Sequence, residues 1–301
     1  MQQNSARKTA ADFDPEVMKL FDQYVHGVID RRGFLSGASK YAVGGVSATM
    51  LLEMLSPNFV QAQQIKKDDP RIVAKMVEYD SPDGSGKMKG YLVMPAKMTG
   101  KLPAVMVVHE NRGLNPHIED IARRLALDNF IAFAPDALTP AGGYPGDEDK
   151  AREAFAKLDQ TKARADFVAA FGFMKTMKDI SGKIGAVGFC YGGSMLNYLA
   201  TQLPDLAAAV PFYGSAAKTE DVPKIKSPLL IHYASNDERI NAAWPAYETA
   251  LKAAGAKYEA HIYPNTQHGF NNDTTPRFDA AAAKLAWERT IEFFNKNLRG
   301  K

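Results

Sequence analysis

The feature that most constrains this fold is the stretch at residues 183–194, which reads KIGAVGFCYGGS. Residues 184–189 form an apolar run that predicts a buried strand, and the run stops at Cys190, the only cysteine. Gly188 and Gly192 flank it in the pattern G-x-C-x-G, that of a nucleophile elbow with sulfur in place of a serine hydroxyl. This turn would put the thiol at a helix N-terminus, whose positive end favours a thiolate. The alternative is a buried cysteine followed by glycine turns.

Strand-like and helix-like segments alternate through the rest of the body. The strand-like segments are residues 72–79, 88–94, 104–109, 130–134, 184–189, 207–212, 229–233 and 258–263. The helix-like segments are residues 116–128, 151–177 (as one or two helices), 195–202, 243–254 and 280–297. Such alternation predicts an α/β fold whose largely parallel sheet is covered on both faces. We expect about eight strands, with the first pair antiparallel across the turn-rich residues 80–86.

Composition excludes some classes of function. The 301 residues are 46% hydrophobic and 24% charged, which is ordinary for a globular protein with one α/β domain and an additional segment. The net charge of +3 shows no electrostatic footprint for nucleic acid. A single cysteine excludes an intrachain disulfide.

The first 62 residues differ from the rest. Arg31 and Arg32 precede a charge-free run at residues 41–52, which is too short to span a bilayer as a helix but suits the apolar region of an export signal. Val60 and Ala62 provide small residues for a cleavage site. The segment resembles a twin-arginine (Tat) signal, which implies passage through the Tat translocase into the periplasm.

An alternative reading keeps this segment in the mature protein. Residues 13–28 have apolar side chains spaced for one face of a helix, so they could form an arm that packs on the domain or on a second subunit. The protein would then be cytoplasmic, or a homo-oligomer joined through the arm. The predicted organisation is a signal or helical arm at residues 1–62, a linker at 63–71 and a catalytic domain at 72–301.

A thiol nucleophile needs a base, and the base needs an orienting acid. Asp237 follows the strand at residues 229–233, and His268 follows the strand at residues 258–263. The chain order of nucleophile, acid and histidine, each at a strand end, is typical of hydrolases with this elbow. The sequence therefore predicts a Cys190, Asp237 and His268 triad.

A polar loop after the strand at residues 104–109 adds candidates. The backbone N–H of Asn111, paired with that of Tyr191, is expected to bind a developing oxyanion. Glu110 would pair with Arg112 or Arg152, or it would take the proton of the thiol.

Four motifs together resemble the dienelactone hydrolase (carboxymethylenebutenolidase) family over residues 70–300: the elbow GFCYGG, the acid loop SNDERI, the histidine loop TQHGF and the stretch HENRGLN. The resemblance implies an α/β-hydrolase fold and cleavage of lactone or ester bonds through a thioacyl-enzyme. It assigns the family's triad to Cys190, Asp237 and His268, its thiol-deprotonating glutamate to Glu110, and its oxyanion donors to the backbone of Asn111 and Tyr191.

The substrate is less defined, because this chain departs from the family pattern. Arg152 corresponds to one arginine that holds a substrate carboxylate, but residues 271–273 stand where the second is expected, and Arg112 replaces an aromatic residue. Side chains that could contact substrate are Arg112, Arg152, Tyr144, Trp244 and Phe270. A broad carboxylesterase or thioesterase, and an exported non-catalytic binding protein, are the alternatives.

The mechanism requires neither a metal nor a cofactor. A cluster of His109, Glu110, His117 and Glu119 was the one alternative, and its histidine spacing does not fit a helical face.

Overall fold

A computed structural model describes residues 7–299. Residues 1–6 of the predicted arm and residues 300 and 301 of the predicted domain lie outside the described residues.

One eight-stranded sheet organises the body, which we define as residues 72–299. The strands are β1 (Ile72–Ser81), β2 (Gly86–Pro95), β3 (Leu102–Val108), β4 (Ile131–Pro135), β5 (Ile180–Phe189), β6 (Ala208–Phe212), β7 (Leu229–Asn236) and β8 (Tyr258–Gln267). Their order is β1-β2-β4-β3-β5-β6-β7-β8. β2 is antiparallel to both β1 and β4, and the remaining pairs are parallel. The predicted α/β class, strand number and antiparallel first pair are confirmed.

Helices precede the sheet and cover both of its faces. They are α1 (Pro15–Val25), α2 (Arg31–Ala38), α3 (Ala48–Leu55), α4 (Phe59–Ala62), α5 (Pro116–Leu127), α6 (Glu148–Ala156), α7 (Gln160–Thr176), α8 (Tyr191–Gln202), α9 (Glu238–Asn241), α10 (Trp244–Ala253) and α11 (Ala280–Phe294). The predicted helix over residues 151–177 is two helices, because Asp159 caps a new start by accepting from the N–H groups of Thr161 and Lys162.

The central strands are buried on both faces, and a separate hydrophobic cluster fills each side of the sheet. In β3, all residues from Ala104 to Val108 are fully buried. Because β3, β5, β7 and β8 run parallel, the loops after them leave from one edge of the sheet. Glu110, Cys190, Asp237 and His268, which follow these four strands, therefore lie at the same edge.

The arm, which we define as residues 7–62, has a small apolar cluster of its own. The amphipathic helix predicted over residues 13–28 is α1, which starts with Pro15 after Asp14 as its cap. Val17 and Phe21 of α1 pack with Phe34 of α2.

Several contacts dock the arm on the body. The backbone N–H of Asn58 donates to the carbonyl of Thr274 at 2.8 Å. Tyr24 donates its hydroxyl to Asp149, and Arg31 lies 3.3 Å from the same carboxylate. Within residues 7–299, no helix is long and apolar enough to cross a membrane.

Candidate active site

Cys190 lies at the turn between β5 and α8, in a conformation that L-residues rarely adopt. Its φ is 56° and its ψ is −110°, and its N–H donates to the carbonyl of Phe212 at 3.1 Å. A side chain on Gly188 would begin 2.3 Å from the carbonyl oxygen of Gly192, and one on Gly192 would begin 2.1 Å from that of Val108. The two glycines of the motif are therefore required by backbone atoms that pass close to them.

The loops after β7 and β8 bring an acid and a base to this turn. His268 Nδ1 lies 2.5 Å from Oδ2 of Asp237, and both residues are buried. The carboxylate fixes Nδ1 as the protonated nitrogen, so the other ring nitrogen is free to act on substrate. Cys190 Sγ and a ring nitrogen of His268 lie within 4.8 Å of each other.

Electrostatics favour a charged thiolate and imidazolium pair. Burial alone would raise the pKa of the Cys190 thiol, but the positive charge of His268 and hydrogen bonds from His26 and His268 lower that pKa to about 6. Burial alone would lower the pKa of His268, but the negative charge of Cys190 and the hydrogen bond to Asp237 raise it to about 10. At neutral pH the thiol has therefore lost its proton and the imidazole holds one.

His26, just after α1, joins this pair, and nothing in the sequence pattern singled it out. Its Nε2 lies 3.7 Å from Sγ of Cys190 and 3.3 Å from Nε2 of His268. Its Nδ1 lies 2.8 Å from the backbone oxygen and 3.2 Å from the carboxylate of Asp22, one helical turn earlier. Nη2 of the exposed Arg239 lies 3.0 Å from the same Nε2. The available signal was the histidine at the end of an amphipathic helix, which does not indicate where that helix docks.

The predicted oxyanion donors flank the same space. Tyr191 is the first residue of α8, so its N–H has no partner within the helix. Asn111, Cys190, Tyr191 and His268 line a cavity of about 150 Å³ that His26 also lines. The arm therefore lines the same cavity as the thiol.

Glu110 takes neither of the predicted partnerships. Its Oε2 accepts a hydrogen bond from Nδ2 of the buried Asn272 at 2.8 Å. The two arginines pair elsewhere: Arg112 lies 3.6 Å from Glu148, and Arg152 lies 3.6 Å from Asp149. In residues 7–299 no hydrogen bond joins Glu110 to the thiol. A role in deprotonating Cys190 stays a prediction.

Arg112 and Arg152 bind the arm. Arg112 donates to the carbonyl of Val25 at 3.3 Å, and Asn111 Nδ2 donates to the same oxygen at 2.9 Å. Arg152 donates to the carbonyl of Tyr24 at 3.0 Å.

Arg277 is a cationic residue that sequence reasoning missed. With Glu110, Arg112 and Asn272 it lines a cavity of about 180 Å³. It lies four residues beyond residues 271–273, where the second arginine was sought. Its guanidinium is buried, lies 3.7 Å from Asp22, and has nitrogens without a hydrogen-bond partner in the described part of the chain.

The predicted aromatic contacts divide into two groups. Tyr144 donates to Glu148, which lines the larger cavity. Trp244 packs against Tyr233, and Phe270 is fully buried. Phe270 lies within the hydrophobic core, and the half-buried Trp244, the first residue of α10, packs against the core. Neither residue lines the two cavities, so a contact of either with substrate stays a prediction.

The residues of the alternative metal cluster have separate partners. His109 Nδ1 lies 2.6 Å from the carbonyl of Glu110, and its Nε2 accepts from the N–H of Ala137 at 3.1 Å. His117 lies 3.3 Å from Asp273, and Glu119 lies 2.7 Å from Lys67.

Comparison with known proteins divides the chain as the structure does. A model of the "Dienelactone hydrolase family" matches residues 88–298, and a model described as "YqhI-like" matches residues 4–43. An Escherichia coli protein named "Putative carboxymethylenebutenolidase" is 32% identical over 77% of this chain and 90% of its own length. The "Putative hydrolase fragment YghX" of the same species is 55% identical over 38% of this chain and 99% of its own length.

A solved structure agrees with these matches. The "Crystal Structure of Putative Dienelactone Hydrolase from Klebsiella pneumoniae" has a TM-score of 0.65 and 26% identity. The alignment covers 74% of this chain and 99% of that chain.

Proposed function

We infer that this chain, which belongs to the dienelactone hydrolase family and is a hydrolase of ester or lactone bonds, works through a thioacyl-enzyme on Cys190. The observation that carries the proposal is the alignment of the thiol, the ring of His268 and the carboxylate of Asp237 at one edge of the sheet. That arrangement supplies an attacking group, a proton carrier and an orienting acid.

In the first half of the reaction, the thiolate of Cys190 attacks the ester or lactone carbonyl carbon. The backbone N–H groups of Asn111 and Tyr191 bind the oxyanion that develops. The imidazolium of His268 then donates its proton to the leaving alkoxide or enolate as the carbon–oxygen bond breaks. A thioester on Cys190 and a neutral imidazole remain.

In the second half, the neutral His268 takes a proton from water, and the hydroxide attacks the thioester. Collapse of the second oxyanion releases the carboxylic acid and the thiolate, and the imidazolium is restored. Asp237 holds the same ring nitrogen throughout, so one tautomer serves both halves.

Two guanidinium groups in the larger cavity, which acidic side chains such as Glu110 and Glu148 also line, support a substrate that carries a carboxylate. Arg112 and Arg277 both line it, and Nε of each lacks a hydrogen-bond partner among residues 7–299. A guanidinium forms two parallel hydrogen bonds with a carboxylate, so a substrate acid group fits this place. Phe21 and Val25 of the arm also line the cavity, so substrate entry requires the arm to move.

Kinetics with p-nitrophenyl acetate test this function. We expect an initial burst of p-nitrophenolate equal to the enzyme concentration, followed by slower turnover. Cys190→Ala and His268→Ala should each abolish the burst and lower kcat/KM by about 10³-fold or more. His261→Ala is the matched control, because His261 lies within β8, outside both cavities. Hydrolysis by Cys190→Ala at the wild-type rate would contradict the proposal.

The substrate class needs its own comparison. Methyl esters of a monoacid and of a diacid of equal length differ only in the second carboxylate. We expect the diacid monoester to have the lower KM, and Arg277→Met to remove that preference while it leaves the monoacid ester little changed. Equal KM values for both esters in the wild type would favour a broad carboxylesterase.

We also propose that the arm directs export, on the strength of the Arg31 and Arg32 pair ahead of the charge-free residues 41–52. Replacing both arginines by lysine should keep the protein out of the periplasmic fraction. If the distribution between fractions does not change, residues 1–62 do not direct export.

A further inference from the structure

Three side chains of the kinds that bind zinc converge at the junction of arm and body. They are His26 from the arm and Cys190 and His268 from the body, and their ligand atoms all lie within 4.8 Å of one another. Within residues 7–299 no other group of three or more histidine, cysteine or acidic side chains converges in this way.

We propose that His26, Cys190 and His268 form a zinc site, and that zinc bound there fastens the arm to the body and stops hydrolysis. The site itself does not depend on the reaction. The loss of hydrolysis rests on the proposed function, because it assumes that Cys190 and His268 act on substrate.

Two of the three ligand-atom spacings are those of a tetrahedral ion. With Zn–S about 2.3 Å and Zn–N about 2.0–2.1 Å, tetrahedral angles separate two nitrogen ligands by about 3.3 Å and a sulfur and a nitrogen by about 3.6 Å. The two histidine Nε2 atoms lie 3.3 Å apart, and Cys190 Sγ lies 3.7 Å from Nε2 of His26. The third spacing, between Cys190 Sγ and a ring nitrogen of His268, is within 4.8 Å. One ion reaches all three ligands once this pair closes to the tetrahedral separation of about 3.6 Å.

Both histidines are oriented as zinc ligands usually are. A histidine that binds metal through one ring nitrogen commonly donates the other N–H to a carboxylate or a carbonyl. His268 contacts Asp237 through Nδ1 at 2.5 Å, and His26 contacts the backbone oxygen of Asp22 through Nδ1 at 2.8 Å. Each Nε2 is left to point toward the sulfur.

The kinds of ligand atom at this site determine which metal ion it would prefer. One thiolate and two imidazoles suit zinc and disfavour magnesium and calcium, which prefer oxygen ligands. Three protein ligands leave a fourth position for water or a small anion. The nearby carboxylates of Asp22 and Asp237 offset the added charge.

Arg239 is the one group that opposes an ion. Its Nη2 lies 3.0 Å from Nε2 of His26, so it must leave when zinc binds. The side chain is exposed and can turn into solvent without disturbing the core.

Bound zinc would remove both chemical groups of the reaction. The sulfur lone pair that attacks the carbonyl and the nitrogen that carries the proton would both be committed to the ion. Because the third ligand is in the arm, the ion also holds Val25 against Asn111 and Arg112, where it blocks the cavity. Zinc would act as a reversible inhibitor that also protects the thiol from oxidation.

Cobalt and zinc binding test the site on the full-length protein, after thiol titration shows one reduced cysteine. Co²⁺ should give a thiolate-to-cobalt absorption band that one equivalent of Zn²⁺ removes. His26→Ala should weaken binding by about tenfold or more, and Cys190→Ser should lose the band. His261→Ala is the matched control and should bind as the wild type does.

Hydrolysis is then measured with and without zinc. We expect zinc to stop wild-type turnover of p-nitrophenyl acetate, a chelator to restore it, and His26→Ala to keep a turnover that needs about tenfold more zinc to inhibit. Absence of a cobalt band in the wild type, or an equal band in His26→Ala, would overturn the site. A normal band in a protein without hydrolysis would overturn the proposed function and leave the site standing.

Discussion

Cys190 reaches the pocket from the end of the buried strand β5 and His268 from the end of the edge strand β8, whereas His26 reaches it from the end of a short helix on the surface. The strands β5 and β8 are held by hydrogen bonds to neighbours within one sheet. The helix α1 is held by a small apolar cluster and a few polar contacts to the body. A rigid sheet thus holds Cys190 and His268, whereas His26 is held by a segment that can separate from the body.

This difference separates the part of the molecule that carries the reaction from the part that can regulate access to it. A reactive group needs a position fixed to within a fraction of an ångström, which a packed sheet provides. The arm, which covers the cavity, must be able to detach and bind again. A segment with few buried contacts to the body allows this. The following predictions test whether arm and body differ in this way.

The largest effect is expected for the acid of the body. Asp237→Asn keeps the shape of the side chain but cannot hold the ring nitrogen of His268 in its protonated form. We expect kcat to fall by about 10⁴-fold, measured with p-nitrophenyl acetate. The control is Asp22→Asn, which alters the carboxylate beside His26 instead. Equal losses in the two variants would mean that the arm is part of the catalytic machinery.

Next in size is a pair of core substitutions, one in each region. Phe34 of the arm and Phe133 of β4 are both fully buried, so each change to alanine should cost about 3–5 kcal/mol. Phe133→Ala should lower the free energy of unfolding of the whole body. Phe34→Ala should speed hydrogen exchange at the amides of α1 and α2 and leave those of β5 unchanged. Faster exchange in β5 would show that arm and body unfold as one unit.

The smallest expected effect concerns pH. The pKa of Cys190 lies near 6, so its alkylation by iodoacetamide should rise with pH through about 6 and then level off. His26 contributes a hydrogen bond that lowers this pKa, so His26→Ala should move the midpoint upward. His261→Ala is the control. A midpoint that does not move in His26→Ala would show that the body alone sets the thiol's acidity.

Much of the body could be read from the sequence, because its elements leave local signals. Alternation of apolar runs and helical periodicity located all the strands, and the glycines around Cys190 located the turn. Asp237 and His268 were identified because both follow a strand. Their positions depend on the parallel sheet, which the pattern also predicts.

The arm's contribution could not be predicted, because it depends on docking. The amphipathic pattern of residues 13–28 indicates a helix with a buried face but does not identify the surface that covers it. Arg277 was missed for a similar reason, because it follows His268 in a stretch whose path to the cavity no periodic pattern indicates. The sequence could not decide whether Trp244 and Phe270 face the pocket, because aromatic residues are common both in cores and in pockets.

Trapping the acyl group tests directly whether Cys190 is the nucleophile. Wild-type protein is mixed with p-nitrophenyl acetate, quenched in acid during the burst, digested and analysed by mass spectrometry. The account predicts one acetyl group, carried as a thioester on Cys190 and absent from the quenched Cys190→Ala variant. Turnover with no acetyl on Cys190, or with the acetyl on Ser194 instead, would contradict it.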